Sequence, residues 1–202
     1  RPRYNIAPTT EIDVVILVDK GRELVRMRWG MVPYWWKKSL KEMPATFNAR
    51  ADGVADKPMF RDSFRRRRRC IIPASGFYEW TGPKTDRQPW YFTSPSGEPL
   101  AFAGLWDTWR DPESGDAVKS CTIVVTEANL FMKDYHDRMP VVLAEKDFAS
   151  WLAGEAGVEV LRPAPEDVLQ AWQVSKRVNK APKLDEPDDD ATLIEPIENR
   201  LL

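Results

Sequence analysis

Short apolar runs cut off by turn residues dominate this sequence, and that pattern leaves little room for a long helix. Glu11 to Val18 carries a β-branched centre, Val14-Val15-Ile16-Leu17-Val18. Asp19-Lys20-Gly21 is a turn signal, and Glu23 to Trp29 reads as the returning strand of a hairpin. The same pattern predicts strands at Cys70 to Pro73, Phe77 to Thr81, Trp90 to Thr93, Leu100 to Trp109, Ser120 to Thr126 and Met139 to Leu143. Gly30 to Trp36 reads as a loop, since Gly and Pro bracket its aromatic residues, and Lys37 to Pro44 as irregular chain. Short helices are expected at Met59 to Arg66 and Ala128 to Tyr135, and helices with apolar stripes at Glu145 to Ala153 and Pro165 to Trp172.

Most connections are hairpin-sized, which favours antiparallel pairing. The expected fold is therefore α+β: a single domain over residues 1–202, with a curved, barrel-like antiparallel β-sheet and peripheral short helices. Residues 180–192 are polar and read as a loop. No run of eighteen apolar residues predicts a transmembrane helix, and no signal-peptide pattern opens the chain. A cytoplasmic monomer without membrane contact is expected. Cys70 and Cys121 sit in apolar runs and read as buried, reduced thiols. With one histidine and no CxxC, no metal and no cofactor are expected.

A net charge of −1 argues against a protein that coats nucleic acid. The charge is segregated, however. Arg65 to Arg69 are consecutive, with Arg61 just before them, while acids gather at Asp185 to Asp190. The arginine run is either a solvated helix face or a track for phosphates. Tyr34-Trp35-Trp36-Lys37-Lys38 has the composition of a stacking platform for unpaired bases, although the same aromatics can fill a core.

Three further segments hold groups suited to chemistry. In Thr46 to Asp52, Asn48 and Arg50 are two apart in an extended stretch and point the same way, so they can grip a carbonyl and a phosphate together. Solvated polar residues on a surface strand are the plainer alternative. Glu79 lies among Phe77, Tyr78 and Trp80. Burial among aromatics raises a carboxyl pKa and makes a usable general acid; on an exposed face the same residue is unremarkable. His136 stands in Tyr135-His136-Asp137-Arg138-Met139-Pro140, a setting suited to proton transfer near neutral pH or to a purely structural role.

The order of these segments is more specific than any one of them. Arg3 to Pro8, Trp29 to Pro33 with Trp35-Trp36, Asn48 to Asp52, Gly76 to Trp80 and His136 to Pro140 follow one another along the chain. In this the sequence closely resembles the SRAP (SOS response-associated peptidase) family from about Arg3 to Ile197. The resemblance implies a distorted β-barrel core and a positive groove that binds single-stranded DNA, especially with abasic sites or at strand–duplex junctions. It implies a covalent link in which the α-amine and thiolate of an N-terminal cysteine close a thiazolidine on the abasic aldehyde. It also implies a peptidase or lyase description, because loss of the initiator methionine was read as autoproteolysis.

By resemblance, Glu79 shuttles the proton that opens the masked sugar, His136 protonates the sugar oxygen or assists imine formation, and Asn48 positions the reacting groups. Arg50 and Arg138 match phosphate-binding arginines. Trp35 and Trp36 resemble residues that wedge against bases, with Pro8 and Thr126 at the same groove. The family's cysteine lies a few dozen residues before the Arg-Tyr-Asn motif, whereas the first cysteine here is Cys70. Either that segment has been removed, which is the expectation, or this is a member without the crosslinking residue. As given, the polypeptide is expected to bind DNA without forming the thiazolidine. Two other functions fit the residues: a thiol peptidase pairing Cys121 or Cys70 with His136, and a non-catalytic single-stranded DNA-binding module.

Overall fold

The structure, a computed structural model, describes residues 2–180 and 189–197. β1 (Glu11–Val18) and β2 (Gly21–Trp29) form the expected hairpin, in register from Glu11 opposite Arg28 to Val18 opposite Gly21. Gly21 closes the turn at φ +117°, a conformation that L side chains rarely adopt. The remaining strands are β3 (Asn48–Arg50), β4 (Arg69–Ala74), β5 (Phe77–Thr81), β6 (Gln88–Thr93), β7 (Leu100–Arg110), β8 (Ala117–Glu127), β9 (Arg138–Pro140) and β10 (Gln170–Gln173). The helices are single turns or little more: α1 (Arg61–Arg65), α2 (Leu130–Lys133) and α3 (Phe148–Leu152).

Strands β2, β1, β4, β7 and β8 follow one another in one sheet, and β8 pairs back with β2, so the sheet closes on itself. The expected α+β domain with a barrel-like sheet is present. Its pairing is mixed, however, because β8 runs parallel to both β2 and β3. Hairpin logic missed these contacts because ring closure joins strands that no short turn connects. Alternation along the strands sorts the core into two faces. Cys70 and Ile72 join Ile12, Val14, Met27 and Cys121 inside the barrel, while Ile71 packs outward with Leu105, Val124 and Trp151. α3 covers that outer face, and the indole of Trp151 donates to the carbonyl of Cys70 at 2.9 Å.

A second sheet, in the order β10-β6-β5, packs against one end of the barrel. Phe77 stacks on Phe92 at 5.0 Å between ring centroids and meets Phe102 edge-on at 5.8 Å. The opposite face carries Tyr78, Tyr91 and Trp172, covered by Val178 and Leu193. The helix expected at Pro165 to Trp172 is absent. Its second half is β10, which pairs antiparallel with β6 and sets Trp172 against Tyr91. Here the free edge of β6 outweighed a local apolar stripe that fits either structure. Of the polar loop expected at 180–192, residues 181–188 lie outside the described residues. Asp189 accepts hydrogen bonds from the main-chain N–H of Tyr4 and Asn5, which ties the two ends of the described chain together beside Tyr78.

Candidate functional site

The small sheet aims Glu79 at the barrel. Strand alternation puts Phe77, Glu79 and Thr81 on the face that packs against it, and Glu79 stands opposite Trp90. The Trp90 indole donates to Thr81 Oγ1 at 2.9 Å, and its ring meets Tyr135 edge-on at 4.9 Å. Tyr135 immediately precedes His136, so this aromatic seam brings the carboxyl within electrostatic reach of the imidazole. Burial pushes the Glu79 pKa up, and His136 and Arg87 pull it only part of the way back. The structure thus holds a carboxyl that keeps its proton to higher pH than an ordinary glutamate.

His136 is held by its backbone and one ring nitrogen. Asn129 caps α2 through Met132 N–H at 2.9 Å, and Glu166 accepts from Leu130 and Phe131 N–H. The amide of His136 then donates to Met132 carbonyl at 2.9 Å. Nδ1 accepts the main-chain N–H of Arg138 at 3.0 Å. The same nitrogen lies 3.2 Å from the Arg138 carbonyl oxygen and 3.4 Å from Asp137 Oδ1, and the bond from Arg138 N–H is made when the neutral ring carries its hydrogen on Nε2. Arg138 opens β9 opposite Glu127 at the end of β8.

Asn48 and Arg50 do share a face, as their spacing predicts: both are exposed, while Ala49 between them is fully buried against the core. β3 lies along β8 with Asn48 opposite Ile123 and Arg50 opposite Val125, and β9 flanks the same Val125 from the other side through Pro140. The Arg50 guanidinium forks onto Asp52, with Nε to Oδ1 at 3.0 Å and Nη2 to Oδ2 at 2.5 Å. Arg50, and then Arg138, hold the Asp52 carboxyl below the usual carboxylate range. Arg50, Asp52 and Arg138 therefore form one charged cluster at the end of β8. An open cleft of about 650 Å³ beside them is lined by Asp52, Thr126, Glu127 and Arg138. Thr126 is buried there, opposite Met139.

Pro8 sits where the N-terminal segment joins β2: Thr9 N–H donates to Trp29 carbonyl, and the Trp29 indole donates to Phe47 carbonyl, next to Asn48. Trp35 and Trp36 stand together, 6.3 Å apart and tilted. They lie apart from Glu79 and His136, on a loop fastened near Ser120 at the start of β8. Three residues of strand separate Ser120 from Ile123, about 10 Å, and four more reach Glu127, about 14 Å further. Asn48 thus lies between the tryptophans and the Arg138 end.

The arginine run is not a continuous phosphate track. Arg68 pairs with the buried Asp107. Arg69 is buried, with its guanidinium 3.6 Å over Phe64 and 4.7 Å over Trp151, and burial lowers its pKa to about 10. Arg66 stacks over Tyr34 at 4.2 Å. Only part of the run faces solvent: β4 begins within it, and Arg69 shares the outer face of Ile71, where Phe64 and Trp151 cover it. Both cysteines are fully buried inside the barrel; burial pushes the Cys121 thiol up to about 12 and that of Cys70 well above its ordinary value. Neither offers a thiolate to His136, which removes the support for a thiol peptidase built on them. Sequence reading did not single out Trp90, Asp52 or Asp107 as parts of a site. For Asp107 the signal was a lone carboxylate inside the apolar run Ala101 to Trp109.

A model of the family described as SOS response associated peptidase (SRAP) matches residues 1–181. The abasic site processing protein YoqW of Bacillus subtilis (strain 168) is 39% identical over 194 residues, covering 93% of this chain and 84% of YoqW. The abasic site processing protein YedK of Escherichia coli (strain K12) is 31% identical over 174 residues, covering 86% of this chain and 75% of YedK. The X-ray structure of a protein from Bacteroides thetaiotaomicron matches with a TM-score of 0.80 at 24% identity, over 93% of this chain and 82% of that one, and has the same fold.

Proposed function

Because this chain belongs to the SOS response associated peptidase (SRAP) family, we propose that it processes abasic sites in DNA, the activity for which YoqW and YedK are named. The observation that carries the reading is the pairing of a half-buried carboxyl, raised in pKa, with an imidazole held through Nδ1 by the main-chain N–H of Arg138. An abasic sugar is a closed hemiacetal, and opening it to the aldehyde requires a proton on the ring oxygen as the bond to C1′ breaks. Glu79 supplies that proton, and His136 donates from Nε2 to the same oxygen or to the carbinolamine hydroxyl as it leaves. Asn48 orients the reacting carbon through its amide. Arg50 and Arg138 hold the flanking phosphates of a single strand that runs along β8, passing Pro8 and Thr126, towards the stacking faces of Trp35 and Trp36. A strand–duplex junction fits the same path, with the tryptophans against the last pair.

The covalent product we assign is a thiazolidine. Its formation joins an aldehyde to a 1,2-aminothiol: the amine adds and water leaves to give an imine, then the sulfur adds to the C=N bond. Only a cysteine with a free α-amine has that group, and the internal, buried Cys70 and Cys121 do not. The reactive cysteine in this proposal precedes Arg1. The test compares residues 1–202 with a chain extended at its N-terminus by a segment that begins with cysteine, each mixed with abasic single-stranded DNA. A heat-stable adduct is expected from the extended chain alone. An adduct from residues 1–202 would overturn the assignment of the nucleophile.

A further inference from the structure

The loop that carries Trp35 and Trp36 is pinned at alternate residues by three buried side chains of one barrel face. Val32 N–H donates to Ser120 Oγ at 2.8 Å, Tyr34 N–H to Asp107 Oδ2 at 3.0 Å, and Trp36 carbonyl accepts from the Trp109 indole at 2.7 Å. Asp107 and Ser120 are cross-strand partners in the β7–β8 ladder, and Trp109 is two residues along the same face. All three are at most 1% exposed. Asp107 is the centre of the device. It also accepts from Thr108 N–H at 2.7 Å and Ser63 Oγ at 3.4 Å, and it pairs with Arg68. A carboxylate this deeply buried is costly unless every lone pair is used, and here four donors from three segments use them.

We propose that Asp107, with Ser120 and Trp109, is a positioning residue that presets the Trp35–Trp36 loop to receive unstacked bases, so that binding need not order it. The inference rests on the DNA-binding reading above. Preorganisation raises affinity by removing the entropy of ordering a loop on contact. It also explains why the arginine run is woven into the anchor: Arg68 neutralises Asp107 from below, while Arg66 covers Tyr34 from the solvent side. The expected sign of the effect is diagnostic. Removing a negative charge from a DNA-binding protein strengthens phosphate attraction, whereas loss of the loop's geometry weakens binding.

The experiment measures binding of a fluorescently labelled single-stranded oligonucleotide by anisotropy, at fixed salt, for the parent, Asp107→Asn, Ser120→Ala, the double variant Trp35→Ala/Trp36→Ala, and Asp107→Asn in that double background. Asp107→Asn should weaken binding about tenfold, within the range of one lost base stack. In the background without the tryptophans the same change should have less than about a twofold effect, since nothing is left for it to position. Ser120→Ala, which removes only the acceptor for Val32 N–H, should act in the same direction and carries the test if Asp107→Asn does not fold. Equal losses with and without the tryptophans, or silent Asp107→Asn and Ser120→Ala where the tryptophan variant binds poorly, would overturn the proposal alone. Full affinity in the tryptophan variant would overturn it together with the reading of that loop as a DNA contact.

Discussion

Nδ1 of His136 accepts the main-chain N–H of Arg138 at 3.0 Å, so the orientation of the imidazole is tied to the start of β9. That bond favours the tautomer with its hydrogen on Nε2, against the pull of the Arg138 carbonyl and Asp137 on the same nitrogen. Two-bond 15N–1H NMR at neutral pH should show a pyridine-type Nδ1 and a protonated Nε2. A protonated Nδ1 in the neutral ring would remove the donor that the mechanism requires. His136→Ala should slow adduct formation by the extended chain by roughly 10²-fold, the lower range for a general acid.

Glu79 gives a pH dependence with a definite sign. Its folded-state pKa lies above the ordinary value of about 4.3, with burial as the main cause. Between those two values the folded protein holds a proton that the unfolded chain releases, so raising the pH through that window costs stability. Glu79→Gln removes the cost. Urea unfolding should show the variant gaining on the parent as pH rises from about 4 to 7, while its adduct rate falls roughly 10²-fold. A stability difference that does not change with pH would mean that Glu79 titrates as an exposed carboxyl.

Cys70 and Cys121 should be silent in the native protein. Both are buried, with thiols shifted upward. Ellman's reagent should label neither until denaturant is added, and Cys70→Ala and Cys121→Ala in the extended chain should still crosslink. Rapid native labelling of either thiol with loss of the adduct would return an internal cysteine to the active site.

Arg138 and the buried end of the arginine run should behave differently. Arg138→Ala should reduce the slope of log binding constant against log salt by about 1, the loss of one phosphate contact. Arg69→Ala should leave that slope unchanged yet destabilise the fold by about 2 kcal/mol, since the guanidinium packs on Phe64 and Trp151 and donates to Phe64 carbonyl. A fall in slope for Arg69→Ala would restore the arginine run as a phosphate track.

Gly104 sits where the barrel wall leaves no room for a side chain. A Cβ there would lie 2.7 Å from Cys70 Sγ, 2.8 Å from Ile72 Cδ1 and 2.9 Å from Thr122 carbonyl oxygen. Gly104→Ala should cost about 1–3 kcal/mol through overpacking, read as a lower midpoint in urea with an unchanged slope. A neutral substitution would show that the interior has slack.

Most of the architecture was legible because it was local. The β1–β2 hairpin, the alternation that turns Asn48 and Arg50 one way, and the short helices all follow from neighbours in sequence. What escaped depends on distant partners. The parallel contacts of β8 come from closure, and β10 formed because β6 had an edge to fill. At the site, an aromatic setting pointed to Glu79, but the Trp90–Tyr135 contact that delivers it to His136 joins β6 to the turn after α2, far apart in sequence, and has no local signature. The arginine run stayed open between a helix face and a phosphate track for a related reason: part of the cover on Arg69 comes from Trp151, far along the chain.

The lateness of β3's partner has a consequence in time. Asn48 and Arg50 dock only on Ile123 to Val125, and Arg138 is made later still. At roughly 5–20 residues per second, a ribosome needs on the order of ten seconds to travel from one to the other. Throughout that interval the nascent chain can pair β1 with β2 and β4, and β5 with β6, but Asn48 and Arg50 have no strand to dock on. The protein therefore passes from no site to a whole one in a single late step, and an arrested or cleaved product that stops short of β9 should be inert towards DNA lesions.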